Sequence, residues 1–146
     1  MKVFHLFSNH KYTGPADPAL VTAAALQAEG VDVTLFAGRN PRTAGDGTDP
    51  QEADREDANG VRARAACRGI RVDRRLSLLK HGKPIALLRD IRALRSILRD
   101  ARPDVVHTHL PNDHLIASVA ARGSIPVVRT IYDAEVPRGF RARTAM

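Results

Sequence analysis

The sequence predicts an α/β domain built on a parallel sheet. Three observations carry that expectation. Short apolar runs rich in β-formers alternate along the chain with longer segments of helical character. One of those segments, residues 84–100, sets aliphatic side chains at helical spacing. The apolar runs also end in polar residues, as strands do when their carboxyl ends open onto a site.

Taken in order, residues 3–7 (Val3, Phe4, His5, Leu6, Phe7) form a first buried strand, followed by a polar loop from Ser8 to Pro15 with Gly14 inside it. Asp17 and Pro18 make a good helix start, since Asp can accept the orphan amides and Pro fits the first turn. Ala19 to Glu29 is rich in Ala and Leu, and Gly30 supplies the C-terminal stop. Residues 31–37 form a second strand. Residues 38–60 then change character, holding Gly45, Gly47, Pro41 and Pro50 among Asp46, Asp49, Glu52, Asp54, Glu56 and Asp57. Such a stretch offers little to bury and is expected to be a flexible acidic loop.

Residues 61–67 alternate Arg62 and Arg64 with Val61, Ala63 and Ala65, which predicts an edge strand. The clearest helix is 84–100, where Leu87, Leu88, Ile91, Leu94 and Leu98 make the apolar stripe. Arg92, Arg95 and Arg99 lie on another face. That row could read phosphate, but a solvated helix face is the commoner origin. Pro103 ends the helix, and residues 104–109 form a strand with a polar end. Asn112 or Asp113 can cap a helix running to Arg122, stopped by Gly123. Residues 125–131 form a last strand, with Pro126 at its start, where a missing donor does least harm. Strands alternating with helices imply right-handed crossovers, hence a Rossmann-like sheet with the first strand central.

Length and composition bound the rest. The chain has 146 residues, the size of one domain, and 43% hydrophobic content, enough for a core. A single domain over 1–146 is expected. The lone Cys67 can neither pair within the chain nor build a cysteine zinc site, and a reducing, cytoplasmic location is the simplest reading. The short apolar start gives no signal-peptide pattern, and no run is long enough to span a bilayer. The net charge of +7 admits nucleic acid, an anionic membrane surface or a phosphorylated ligand. With 4% aromatics and no Trp there is little on which to stack bases, so no nucleic-acid partner is expected. Peripheral membrane contact stays open.

Chemistry concentrates at the carboxyl ends of the expected strands: Ser8, Asn9 and His10; Ala37, Gly38 and Arg39; His107, Thr108 and His109; Tyr132 and Asp133. The first loop has neither G-x-G-x-x-G nor a P-loop, which argues against a dinucleotide cofactor, and no cofactor is expected. His107 and His109 are two apart and share a strand face. They could orient a sugar hydroxyl or move its proton. With His114 they could bind a metal, the third-ranked reading because only Asp113 or Asp133 offers a carboxylate nearby, and no metal is expected. Or they could be structural, packed and hydrogen-bonded.

In combination, the motifs Pro103-Asp104-Val105-Val106-His107-Thr108-His109 and Ile125-Pro126-Val127-Val128-Arg129-Thr130-Ile131-Tyr132-Asp133 resemble the N-terminal domain of family-4-like glycosyltransferases of the GT-B fold. The first strand and the stretch Glu29-Gly30-Val31-Asp32-Val33-Thr34-Leu35 add to the likeness. The resemblance implies the acceptor-side half of an enzyme that transfers a sugar from a nucleotide-sugar donor to a sugar or lipid-linked acceptor. By position it implies His109 as the catalytic histidine, with Ser8, Asn9, Gly14, His107, Asn112 and Asp133 as substrate-binding candidates. The chain departs from the family in two ways. Its first loop has one glycine where the family has several, and no two glutamates show the E-x7-E spacing of the donor domain. A fragment, split-gene product or relic, inactive without a donor domain, is therefore expected. The alternative is a non-catalytic module on the same half-fold that binds a sugar or nucleotide.

Overall fold

The computed structural model describes residues 1–40, 59–79 and 84–132. They form a five-stranded, all-parallel sheet flanked by helices. In chain order the elements are β1 (Lys2–Phe7), α1 (Ala16–Ala28), β2 (Asp32–Ala37), α2 (Val61–Cys67), β3 (Arg71–Asp73), α3 (Pro84–Ala101), β4 (Val105–Thr108), α4 (Pro111–Ala121) and β5 (Val127–Arg129). The strand order is β3-β2-β1-β4-β5, so β1 is central, as the sequence predicts.

Both faces of the sheet are packed, which is why its strands read as continuous apolar runs. On one face Phe7, Val33, Leu35 and Ala37 meet Ala16, Ala19, Leu20 and Ala23 of α1 and Val61 and Ala65 of α2. On the other, Phe4, Leu6, Phe36 and Val106 meet Ile91, Leu94, Ile97 and Leu98 of α3 and Ile116, Ala117, Ala120 and Ala121 of α4. The predicted stripe of α3 is thus its buried face, apart from Leu88, which is half exposed.

One expected element is corrected. Residues 61–67 are helix α2, not an edge strand, and the third strand is Arg71–Asp73. Ala and Arg are strong helix formers, and seven residues are too few to separate a period of 2 from one of 3.6. The helix turns Arg62 inward while Arg64 faces solvent. The buried Arg62 guanidinium donates to the Ala37 carbonyl from Nε (3.0 Å) and Nη2 (2.6 Å), and from Nη2 to the Leu76 carbonyl (3.3 Å). Two helix starts also differ slightly. Helix α1 begins at Ala16 behind Pro15 with no side-chain cap, and Asp17 turns outward to pair with Arg68 at 2.8 Å. Leu110 is the N-cap of α4, where Asp113, at the third helical position, accepts the Leu110 amide at 2.8 Å.

Of the expected flexible loop 38–60, residues 41–58 lie outside the described residues. Its ends are fixed: Gly38 is buried, and Gly60 forms an antiparallel bridge with Lys11. A Cβ on Gly38 would stand 2.8 Å from the Asn9 carbonyl carbon and the Leu78 oxygen, so three chain segments meet there with no room for a side chain. The 75–79 segment is held from α3. Both oxygens of buried Asp90 accept backbone amides, from Ser77 (2.9 Å) and Leu78 (2.8 Å).

Candidate functional site

The order β3-β2-β1-β4-β5 reverses direction between β1 and β4, and the carboxyl ends of those two strands are where an open parallel sheet presents a ligand crevice. The register pairs His5 of β1 with His107 of β4. His109 stands two residues after His107, just past the end of β4, so three imidazoles fall on one sheet face. Their ring centroids are 4.7 Å (His5–His107), 5.3 Å (His5–His109) and 4.3 Å (His107–His109) apart.

Each ring is tied by a specific contact. His5 Nδ1 and His109 Nε2 share a hydrogen bond of 3.1 Å. His109 Nδ1 lies 2.7 Å from the Tyr132 hydroxyl, and His107 Nε2 lies 2.7 Å from the Thr130 hydroxyl. His5 Nε2 is buried and has no hydrogen-bond partner. His5 and His109 are 0% and 2% exposed, while His107 is half-buried.

Burial decides the protonation of this cluster. Desolvation, joined by repulsion from His107, lowers His5 to about 3. Desolvation, with repulsion from His107 and His5, lowers His109 to about 2. Burial lowers His107 as well. All three are neutral at pH 7. Desolvation thus strongly disfavours the charged form of His109.

Asp113 organises the backbone around the cluster. Its fully buried carboxylate accepts the amides of His109 (3.2 Å), Leu110 (2.8 Å) and His114 (3.2 Å), and a Ser8 backbone bond also bears on it. One side chain thus ties the loop after β1 to the turn after β4. Burial pushes its carboxyl up to about 7, against those amides, which favour the charged form. His114 is not part of the histidine cluster, because its Nδ1 lies 3.1 Å from the Thr108 hydroxyl on the opposite sheet face.

The other predicted positions scatter around this centre. The Ser8 hydroxyl is buried without a hydrogen-bond partner. Asn9 Oδ1 accepts the Lys11 amide at 3.2 Å, shaping its own loop. Gly14 is exposed with open space around it, and its φ is not in the left-handed region. Asn112 Nδ2 donates to the Leu79 carbonyl at 3.2 Å. Asp133 lies outside the described residues. The carboxyl end of a strand predicts His109 as the residue most open to the cleft, and the structure corrects this. His109 is buried behind Tyr132, which is 36% exposed.

Sequence reasoning missed His5, Thr130 and the roles of Asp113 and Tyr132. The first strand reads as purely apolar apart from His5, and only the register of two parallel strands brings His5 beside His107. A cavity of about 380 Å³ lies elsewhere, towards the amino ends of β1–β3, lined by Lys2, Thr34, Arg71 and Arg75 among others. Its arginines are engaged: Arg71 with Asp32 and Thr34, Arg75 with Asp73. The histidine cluster lies at the carboxyl ends, away from that cavity.

A family described as glycosyl transferase 4-like domain matches residues 13–146. No curated protein is matched by the sequence. Among solved structures, the chain is similar to a glycosyltransferase from Rickettsia africae ESF-5 (TM-score 0.62, 11% identity, 94% of this chain and 31% of that one). It is similar to MurG from Acinetobacter baumannii (TM-score 0.60, 18% identity, 98% and 38%) and to SsfS6, a glycosyltransferase of Streptomyces sp. SF2575 (TM-score 0.59, 14% identity, 99% and 43%). These likenesses establish a shared fold. The chain spans less than half the length of each of the three.

Proposed function

This chain belongs to the glycosyl transferase 4-like domain family, and we propose that it is the acceptor-side domain of a glycosyltransferase that moves a sugar from a nucleotide-sugar donor to an acceptor hydroxyl. The observation that carries the proposal is the position of His109. It follows β4 at the point where the sheet reverses direction, with Nε2 engaged by a fully buried partner and Nδ1 turned to a partly exposed one. In this proposal an acceptor hydroxyl takes the place of the Tyr132 hydroxyl on Nδ1. The neutral ring then fixes the direction of the attacking oxygen, a contribution of orientation and not of proton storage. The Ser8 hydroxyl, buried at the end of β1, is the next polar group available to the same substrate.

The donor half of the reaction belongs, in this reading, to a second domain. The transferases similar to this chain are more than twice its length, and the loop after β1 has no phosphate-cradling glycine pattern. The domain is proposed to work in the cytoplasm and to turn over nothing alone. A lipid-linked acceptor would bring it to a membrane surface, where Ile85 and Leu88 (73% and 50% exposed) stand beside Arg89 and Arg92 on α3. No described helix is long and apolar enough to cross a membrane.

The test is binding by the chain itself, followed by backbone NMR against panels of acceptor glycosides and nucleotide sugars. The proposal expects saturable shifts at Ser8, His109 and Asn112 with an acceptor and none with a nucleotide sugar. Binding of nucleotide sugars at those positions would favour the non-catalytic nucleotide module instead.

A further inference from the structure

We propose that His5, His107 and His109 form a binding site for one divalent first-row transition-metal ion, zinc by the chemistry of the set. One ring nitrogen from each of the three lies within 4.8 Å of the others. Imidazole nitrogens bind zinc at about 2.0–2.1 Å, which puts two of them roughly 3.3 Å apart on a tetrahedral ion. His5 Nδ1 and His109 Nε2 already stand 3.1 Å apart. His107 would have to turn its free ring nitrogen towards them, and its ring is only half-buried.

Packing alone does not call for two buried imidazoles with a third, half-buried, against them. Aliphatic side chains would fill the same space without desolvating ring nitrogens. One of those nitrogens, His5 Nε2, is buried with its hydrogen-bonding capacity unused. Two of the three rings also have the outer contacts that ligating histidines use. The Tyr132 and Thr130 hydroxyls hold the other sides of His109 and His107 at 2.7 Å, fixing ring orientation as outer partners of ligating histidines do. Three histidines leave a fourth position for water or a ligand oxygen. An all-imidazole set suits Zn²⁺, Co²⁺, Ni²⁺ or Cu²⁺ and not Mg²⁺ or Ca²⁺, which take oxygen. No net proton is released on binding to neutral rings: the proton shared by His5 and His109 moves to the far nitrogen of its own ring. The inference rests on the geometry of the cluster; it shares His109 with the transferase proposal, the metal on Nε2 and the acceptor hydroxyl on Nδ1.

The experiment uses the untagged full chain, freed of metal with a chelator and dialysed. Zn²⁺ is titrated by calorimetry while the six imidazoles are followed by carbon–proton NMR. The expected result is one equivalent bound with micromolar or tighter affinity, with the rings of His5, His107 and His109 shifting and those of His10 and His114 unmoved. Co²⁺ in place of zinc should give the intense visible bands of a four-coordinate site. His5→Phe and His107→Ala should each weaken binding at least tenfold, while His10→Gln leaves it unchanged. Should a variant fail to fold, the wild-type ring assignments decide alone. Shifts confined to other histidines, or no binding below millimolar zinc, would overturn the proposal.

Discussion

Acidification should destabilise this domain with a slope set by the groups at the switch point. His5 and His109 are lowered from 6.5 to about 3 and about 2, so between pH 4.5 and 6 each binds a proton when unfolded and none when folded. A lowered group contributes stability that is present above its unfolded pKa and lost as pH falls through the folded one. Asp113 acts in the opposite sense. It is raised from 3.8 to about 7, so it holds a proton in the folded state across this window and not in the unfolded state. Its contribution is fully present below its unfolded pKa and lost as pH rises through about 7. Two protons gained on unfolding and one lost leave a net of about one. Stability should therefore rise with pH by roughly 1.4 kcal/mol per unit. Lowered His107 steepens that slope and raised Asp90 flattens its acid end. From pH 4.5 to 6 the gain is about 2 kcal/mol, or about 4–8 °C in Tm for a chain of this size. The assay is thermal and urea unfolding at constant ionic strength with chelator present. In the His5→Gln/His109→Gln double variant the slope should vanish or reverse. An unchanged slope in that variant, or a flat wild-type profile, would refute the assignment of buried neutral histidines.

Three further substitutions probe how the loops are held. Gly38→Ala places a Cβ 2.8 Å from backbone atoms of Asn9 and Leu78 and should cost about 2–4 kcal/mol in urea unfolding; a neutral result would mean the three segments give way freely. Asp90→Ala strands the Ser77 and Leu78 amides and should cost about 2–4 kcal/mol, with faster amide exchange confined at first to that loop. Asp113→Ala removes the acceptor for the His109, Leu110 and His114 amides and should cost about 3–5 kcal/mol while shifting the His5, His107 and His109 ring resonances. Rings left in place by that change would show that Asp113 does not position them.

The fold was legible because its strongest signals are local. The stripe of α3, the short apolar strands and the stops at Gly30 and Gly123 each follow from a few neighbouring residues, and both glycines do adopt positive φ. Residues 61–67 misled because seven residues of Ala, Arg, Val and Cys satisfy two periods, and the deciding fact, Arg62 bound to carbonyls of β2 and of the segment after β3, is tertiary. Strand β3 has three residues with one aliphatic side chain, too little pattern to find. At the site, His107 and His109 stood out through their spacing. His5 did not, since it lies 102 positions before His107 and only strand pairing closes that gap. The burial of His109 was likewise hidden, because Tyr132, three residues past the end of β5, covers it.

The most direct measurement is sugar transfer, followed as label moving from a nucleotide-sugar panel into acceptor glycosides. The chain is assayed alone, joined to a donor-binding domain, and joined with His109→Ala. The account predicts no turnover by the isolated chain, turnover by the joined protein, and at least a hundredfold loss on His109→Ala with the fold retained. Transfer by the 146-residue chain alone, or full activity without the His109 imidazole, would contradict it.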